Sequence, residues 1–170
     1  EAKSKSGLTY RHHTMLVHES VKKDDHADTA RDVRALWREA KFNFSEGLAR
    51  LQKLYDEDFL PVMKARANGA LIPRSFDELK PFIGTALAEI TIDADPVLIV
   101  NSDKEIQAQQ KKLDFEAAKV WRILVGGTQL SRGFTVEGLT ISYFRRKAGQ
   151  ADTLMHAGRW FGFRPGHQDL

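Results

Sequence analysis

The sequence of 170 residues contains no cysteine. A chain without thiols forms neither a disulfide framework nor a thiolate metal site, so a reducing compartment, the cytoplasm, is the expected location. No stretch approaches the roughly 18 consecutive apolar residues that a membrane-spanning helix needs. The first four residues also lack the apolar core of a signal peptide. We therefore expect no membrane partner.

The sequence also lacks the pattern G-x-x-x-x-G-K-[S/T], the loop whose backbone amides hold phosphates and whose lysine reaches the terminal phosphate. The chain by itself is therefore not expected to be a complete P-loop ATPase. Hydrophobic residues make up 42% of the chain and charged residues 29%. This ordinary balance excludes a disordered or fibrous protein.

The net charge of +3 is unevenly distributed along the chain. Residues 1–23 and residues 145–170 each carry five Lys or Arg and two acidic residues, which leaves the middle at −3. Two basic ends would form a face that binds polyanions if folding brings them together. Ordinary solvated surface charge is the alternative explanation.

Short apolar runs predict four buried strands. Their apolarity is nearly continuous rather than alternating, which is typical of strands covered on both faces, as in a parallel sheet. The predicted strands are Thr14–Val17, Pro96–Val100, Arg122–Val125 and Leu139–Phe144.

Helical periodicity appears between and after these strands. Ser75 and Glu78 have the spacing of a capping box, with Pro81 falling near the first turn of the helix that follows. The predicted helices cover residues 28–41, 44–55, 75–88, 103–119 (broken near Asp114) and 151–157.

Strands alternating with helices predict an α/β fold built on a parallel sheet. A connection between parallel strands normally returns to the sheet after one helix, whereas residues 43–90 add about 48 residues. We therefore predict three parts: residues 1–42, the first strand and helix; residues 43–90, a helical insertion; and residues 91–170, the remainder of the sheet domain.

Two segments near the end of the sequence carry candidate chemistry. The first, G-G-T-Q-L-S-R-G-F-T-V-E-G from Gly126, follows an apolar strand with glycines and small polar residues, which expose backbone N–H groups to phosphate oxygens. Within it, Arg132-Gly133 places a cation beside a backbone that a ligand can approach closely. A plain glycine turn is the alternative for this segment.

The second segment reads D-T-L-M-H-A-G-R-W-F-G-F-R-P-G from Asp152. Its Arg159 and Arg164 have the permanent charge and fixed fork needed to stabilise a transferring phosphoryl group. A surface cation–π pair between Arg159 and its aromatic neighbours is the alternative.

The order of an apolar strand, L-S-R-G-F-T, a strand, a helix and G-R-x-x-G-x-R resembles motifs V and VI of the second RecA-like domain of superfamily 2 helicases. The sequence of Trp121–Leu170 closely resembles the Z-one domain family. Members of that family are helicase-like ATPases of bacterial DNA restriction and defence systems and are often labelled endonucleases. Thr14–Ser20 resembles the first strand of the same domain more loosely. The resemblance implies a RecA-like, P-loop NTPase-like fold of the helicase C-terminal type.

The resemblance also implies roles for single residues near the nucleotide. Arg159 and Arg164 match the motif VI arginines that reach the γ-phosphate of ATP. Arg164 ends the motif and is the preferred arginine finger, while the two extra residues after Arg159 leave the choice between the arginines open. Arg132, Gly133 and Gly158 would line the nucleotide side of the cleft.

Residues that contact DNA are implied in the same way. Thr128 or Gln129 would lie near the threonine that touches the nucleic-acid backbone. Ser20 would meet a DNA phosphate at the start of a helix, with an ordinary turn serine as the alternative. His156 stands where glutamine is typical and Phe163 where tyrosine is typical, which puts a glutamine role in doubt and removes one hydroxyl contact.

For the whole chain, the resemblance implies the second motor domain of a helicase-like, DNA-dependent ATPase or translocase in an ATP-dependent restriction or defence system. The expected partners are double-stranded DNA, a nuclease subunit and an N-terminal RecA-like P-loop domain in the same full-length chain. That domain would hold most of the ATP and Mg²⁺. We therefore expect the isolated chain, which stops shortly after motif VI, to be an inactive fragment.

The sequence has two alternative interpretations. One is a catalytically silent DNA-binding or assembly module that keeps the motor fold. The other is a metal-dependent endonuclease domain, which needs clustered carboxylates with a lysine. Glu39-Ala-Lys41 has that spelling but lies on a predicted helix, and Asp93 and Asp95 have no lysine two residues on. No histidine spacing supports a metal ligand set, so no metal site is predicted.

Overall fold

The computed structural model describes residues 11–18, 23–66, 72–100, 115–117, 119–126, 136 and 138–145. Its strands are β1 (His13–His18), β2 (Val97–Val100), β3 (Trp121–Gly126) and β4 (Leu139–Phe144). Its helices are α1 (Lys23–Ala40), α2 (Ser45–Leu54), a π-helical turn (Tyr55–Phe59), α3 (Leu60–Arg66), a 3₁₀ turn (Phe76–Glu78) and α4 (Lys80–Ile90).

The strands form one four-stranded sheet in the order β2-β3-β1-β4, and every pairing is parallel. This confirms the predicted α/β fold, and the arrangement is consistent with a RecA-like domain. All four predicted strands are present, each with bounds within one residue of the prediction. The nearly continuous apolar runs were a reliable signal because the central strands are covered on both faces.

Each face of the sheet carries its own apolar cluster. On one face, Ala30 of α1 packs against Val17, Val97 and Val125. On the other face, Leu16 and Leu124 lie in a cluster with side chains from the β2–β3 and β3–β4 connections, Phe115 and Val136 among them. Side chains alternate along a strand, so neighbouring residues of β1 and β3 serve opposite clusters.

A β-bulge changes this alternation in β4. Thr14 pairs with Leu139 and Met15 pairs with Ile141, so Thr140 is an extra residue. The Thr140 hydroxyl donates a hydrogen bond to the Thr14 carbonyl at 3.1 Å. Because of the bulge, Leu139 joins the cluster away from α1, whereas Ile141 faces the side on which α1 lies.

Residues of the insertion share a third apolar cluster. Tyr55, Met63 and Phe76 are its buried members, and apolar residues between 51 and 83 pack around them. The Tyr55 hydroxyl donates to the Pro73 carbonyl at 2.6 Å, and burial raises the pKa of Tyr55. The boundaries predicted at residues 42 and 90 stay predictions.

The helices differ from prediction in several details. α1 begins at Lys23, five residues before the predicted start at 28, and its early residues His26 and Ala30 are buried. The π-helical turn and α3 were not predicted. The predicted helix at 151–157 lies outside the described residues, as does residue range 103–114 of the predicted helix at 103–119; residues 115–117 form a turn.

The predicted capping box is not formed. The Ser75 side chain makes no capping hydrogen bond, and Glu78 instead accepts the backbone N–H of Arg74 at 3.3 Å. A 3₁₀ turn precedes the helix, which begins at Lys80 with Pro81 in its first turn, the position where a missing N–H is tolerated.

Candidate functional site

The carboxyl ends of the four parallel strands lie at one edge of the sheet, called here the carboxyl edge. The strands end at His18, Val100, Gly126 and Phe144. In the registers observed, Val100 lies beside Gly126, and His18 lies beside Phe144. The ends of β3, β1 and β4 are therefore consecutive neighbours along this edge.

The direction of the connections reverses between β1 and β3. From β1 the chain reaches β2, two places to one side, by way of α1; from β3 it reaches β4, two places to the other side. Right-handed crossovers in opposite directions lie on opposite faces of a sheet, as the positions of α1 and Val136 show. The connections that follow β1 and β3 therefore run in opposite directions. A place where neighbouring strands have connections of opposite direction is called a switch point, and open α/β sheets bind ligands there.

None of the eight predicted site residues lies within the described part of the chain. Ser20 follows the end of β1 by two residues, and Thr128, Gln129, Arg132 and Gly133 follow the end of β3. The structure thus brings together the strand ends that these residues follow. Gly158, Arg159 and Arg164 lie in residues 146–170, which the structure leaves undescribed.

The described residues of the carboxyl edge suit an anionic ligand. None of the four described strands ends on an acidic residue, and Arg145 follows β4 directly. The His18 side chain is 1% exposed, its ring lies 4.8 Å from that of Phe144, and its carbonyl accepts the Arg145 N–H at 3.1 Å.

The opposite edge of the sheet, called here the amino edge, is held by two buried or half-buried arginines. Arg122 is 6% exposed; it pairs with Asp93 at 2.8 Å and donates to the carbonyls of Glu89 and Ile90, which end α4. These bonds satisfy carbonyls that a helix end leaves without intrahelical partners. They also tie the last helix of the insertion to β3.

Arg34 of α1 makes the second contact at this edge. Its guanidinium binds both carboxylate oxygens of Asp95 at 2.8–3.0 Å and also donates to the Val97 carbonyl at 3.3 Å. The hydrogen bonds from Arg34 hold the pKa of Asp95 below its usual value. Asp93 and Asp95, the candidate carboxylates of a nuclease site, are therefore ion-paired where the insertion rejoins the sheet.

Metal binding finds no support within the described ranges. There, no group of three or more His, Cys, Asp or Glu side chains is placed to hold a metal ion. Glu39 lies in α1, as predicted, and Lys41 pairs with Glu46 at 2.9 Å. Nor, among the described helices, is any long and apolar enough to cross a membrane.

Sequence reasoning missed two features of these edges. It treated Arg122 only as the first residue of a strand, although a charged residue inside an apolar run is itself a signal of a buried ion pair. It counted Arg145 only as part of a basic end. Its position directly after a predicted strand already placed it at the carboxyl edge.

Comparison with known proteins gives one finding. No curated protein and no solved structure matches the chain. The family model of the Z1 domain matches residues 2–170, nearly the whole sequence. The chain therefore belongs to the Z1 domain family.

Proposed function

We propose that the chain is the second motor domain of a helicase-like, DNA-dependent ATPase or translocase that works in an ATP-dependent restriction or defence system. Membership of the Z1 family and the resemblance to motifs V and VI support this proposal. The observation that carries it is the switch point between β1 and β3. The segments that contain Ser20 and Arg132 begin at the two strand ends that flank it.

In this proposal the ATP site is shared between two domains. An N-terminal RecA-like domain of the full-length protein holds ATP and Mg²⁺, which supply the transferable γ-phosphoryl group and neutralise its charge. The present chain contributes Arg164, or Arg159, against the charge that develops during transfer. Arginine fingers contribute about 10³- to 10⁵-fold in rate. Arg132, Gly133 and Gly158 line the same cleft.

Coupling to DNA uses the same edge of the sheet. Thr128 or Gln129 and Ser20 contact the backbone of double-stranded DNA, and closing the cleft shifts that grip, which turns hydrolysis into movement. A nuclease subunit would cut the DNA that the motor delivers. We propose the cytoplasm as the compartment.

The proposal is tested by the DNA-stimulated ATPase activity of the full-length protein. Arg164→Ala, or Arg159→Ala if that residue is the finger, is expected to lower kcat by about 10³-fold or more with a smaller change in KM, because the arginine acts mainly in the transition state. Arg38→Ala is the matched control. It removes an exposed arginine from the last turn of α1, away from the carboxyl edge, and should leave kcat unchanged.

Unchanged turnover in both Arg159→Ala and Arg164→Ala would contradict the arginine-finger role. DNA binding without any ATPase activity in the full-length protein would favour the silent DNA-binding module. Metal-dependent cleavage of DNA by the isolated chain would favour the endonuclease instead.

A further inference from the structure

The helices of the insertion pack together as one body. α2, the π-helical turn, α3, the 3₁₀ turn and α4 share the apolar cluster around Tyr55, Met63 and Phe76. Within the described ranges, that cluster has no member in common with the two clusters that cover the sheet. We call these helices and turns the arm. Its freedom to move relative to the sheet therefore depends on the two connections that join it to α1 and to β2.

Both connections of the arm lie at the amino edge. Arg34, near the middle of α1, already reaches the Val97 carbonyl at the start of β2, and the rest of α1 runs about 9 Å farther. Arg122, the second residue of β3, reaches the carbonyls that end α4. The carboxyl edge, with the switch point, lies at the other end of these strands, about 20 Å away.

The connection into the arm is held by close contacts. The Phe44 N–H donates to the Lys41 carbonyl at 2.8 Å, and the Arg50 guanidinium donates to the Glu39 carbonyl at 3.2 Å. α2 also approaches the end of α1 so closely that Gly47 has no room for a side chain. The first turns of α2 are therefore fixed to the last turn of α1.

The connection out of the arm is held in the same way. The Thr91 N–H donates to the Leu87 carbonyl at 3.0 Å, and the Ala94 N–H donates to the Thr91 carbonyl at 2.7 Å. The Asp95 carboxylate accepts the Val97 N–H at 3.0 Å. The two arginine contacts of the amino edge then hold this turn from α1 and from β3. Every second or third residue of the turn is therefore bonded.

We propose that the arm moves with the sheet as one rigid body and so acts as a lever rather than as a hinged lid. A hinge is a short segment whose residues absorb large changes of φ and ψ. In both connections of the arm, such changes would break hydrogen bonds or ion pairs. A rotation of the sheet would therefore carry the arm through the same angle.

The position of the two connections says where that movement is delivered. Because both lie at the amino edge, the lever is anchored on the side of the domain away from the switch point. This inference rests on the proposed function for what drives the movement, which is the closing of the cleft on ATP. It adds a part of the molecule that none of the motif residues includes.

The test measures the distance between two spin labels in the full-length protein by pulsed electron paramagnetic resonance. Genetically encoded ketone residues carry the labels at Lys64, exposed in α3, and at Asp32, exposed in α1. We expect a single narrow distance distribution. Its mean should shift by less than about 1 Å when a non-hydrolysable ATP analogue and duplex DNA are added, as in proteins whose backbone is already organised for binding.

Two results with the wild type would overturn the inference. One is a shift of the mean by more than about 2 Å, the size of a hinge rearrangement. The other is a broad or double distribution in the protein without ligands. The second result decides the matter whether or not ATP and DNA bind.

Substitutions at the exit test the cause of the rigidity. Asp93→Asn combined with Asp95→Asn should broaden the distribution to about twice its width, because the turn then regains residues that are free to change φ and ψ. Asp95→Asn alone leaves the buried Arg122 paired and should broaden it less. Asp77→Asn, which breaks an exposed pair with Lys80 inside the arm, is the matched control and should leave the width unchanged.

An unchanged width in both exit variants, with circular dichroism showing that they are folded, would contradict the assignment of the rigidity to these contacts. The two proposals fail separately. If Arg159→Ala and Arg164→Ala keep full ATPase turnover while the distribution without ligands is narrow, the motor proposal fails and the rigid arm stands. If those variants lose turnover while the distribution is broad, the rigid arm fails and the motor proposal stands.

Discussion

At the scale of single residues, Gly47 shows how the fold constrains the entry to the insertion. Lys41 directly follows α1 and lies in the left-handed region, with φ of 51°. α2 then packs so closely that a Cβ on Gly47 would lie 2.6 Å from the Ala40 carbonyl oxygen and closer still to that of Lys41. Both contacts are with backbone, which cannot move aside as a flexible side chain can. Gly47 therefore fits where no larger residue would.

We predict that Gly47→Ala lowers the free energy of unfolding by about 1–3 kcal/mol, the usual cost of forcing extra atoms into a packed site. Gly84→Ala is the matched control, because a Cβ there meets nothing within 4 Å. In the middle of α4 it should raise the free energy of unfolding by about 0.5–1 kcal/mol, since alanine loses less backbone entropy than glycine. Urea unfolding of both variants measures the difference, and changes of the same sign would contradict it.

At the scale of elements, the contact between Arg122 and Asp93 decides how the insertion rejoins the sheet. Arg122 binds the carbonyls that end α4 and the carboxylate that follows them, so one buried side chain joins three parts of the chain. Arg34 does the same for α1 and the start of β2. The exit from the insertion is thereby fixed at two points rather than hinged.

We predict that Asp93→Asn lowers the free energy of unfolding by about 1–3 kcal/mol, because the buried Arg122 guanidinium keeps its charge and loses its carboxylate partner. The cost is smaller than for a fully buried pair, since Asp93 is 40% exposed. Asp77→Asn is the control. It breaks an exposed pair with Lys80 and should change the free energy by less than about 0.5 kcal/mol. Equal effects of the two substitutions in chemical unfolding would contradict the structural role of Arg122.

At the scale of the whole molecule, the chain has separate apolar clusters for the sheet and for the insertion. The cluster around Met63 has fewer buried members than either of the two clusters that cover the sheet. Segments with few buried apolar side chains open at a lower free energy than central strands do. The insertion should therefore open locally while the sheet stays folded.

This predicts an asymmetry in native-state hydrogen exchange. Leu124 is fully buried in β3, so Leu124→Ala should lower the free energy of opening for the strand amides by about 2–5 kcal/mol. The free energy of opening for the amides of α2 and α3 should not change, because Leu124 stays packed when only the insertion opens. Met63→Ala should lower the opening free energy of both sets, because every opening exposes it. Equal shifts at all amides in both variants would show a single cooperative unit.

Much of the fold followed from local patterns. The four strands and the parallel sheet were predictable because strands covered on both faces need nearly continuous apolar runs, which are visible in a single sequence. The capping box failed because the pattern fixes only residue types, whereas the hydrogen bonds depend on how the chain enters the helix. The start of α1 was misplaced because its first turns contain few apolar residues, although His26 and Ala30 are buried there.

The candidate site divides in the same way. The sequence alone determined the family resemblance, the segments that follow β1 and β3, and hence the residues on which the motor proposal depends. Only the tertiary structure decided that β1 and β3 lie side by side at a switch point and that the bulge at Thr140 exposes Tyr143. It also decided that Asp93 pairs with Arg122 and that Asp95 pairs with Arg34. The reason is physical: strand order, register and ion pairing join residues far apart in the chain, and local sequence patterns carry no record of which distant residues will meet.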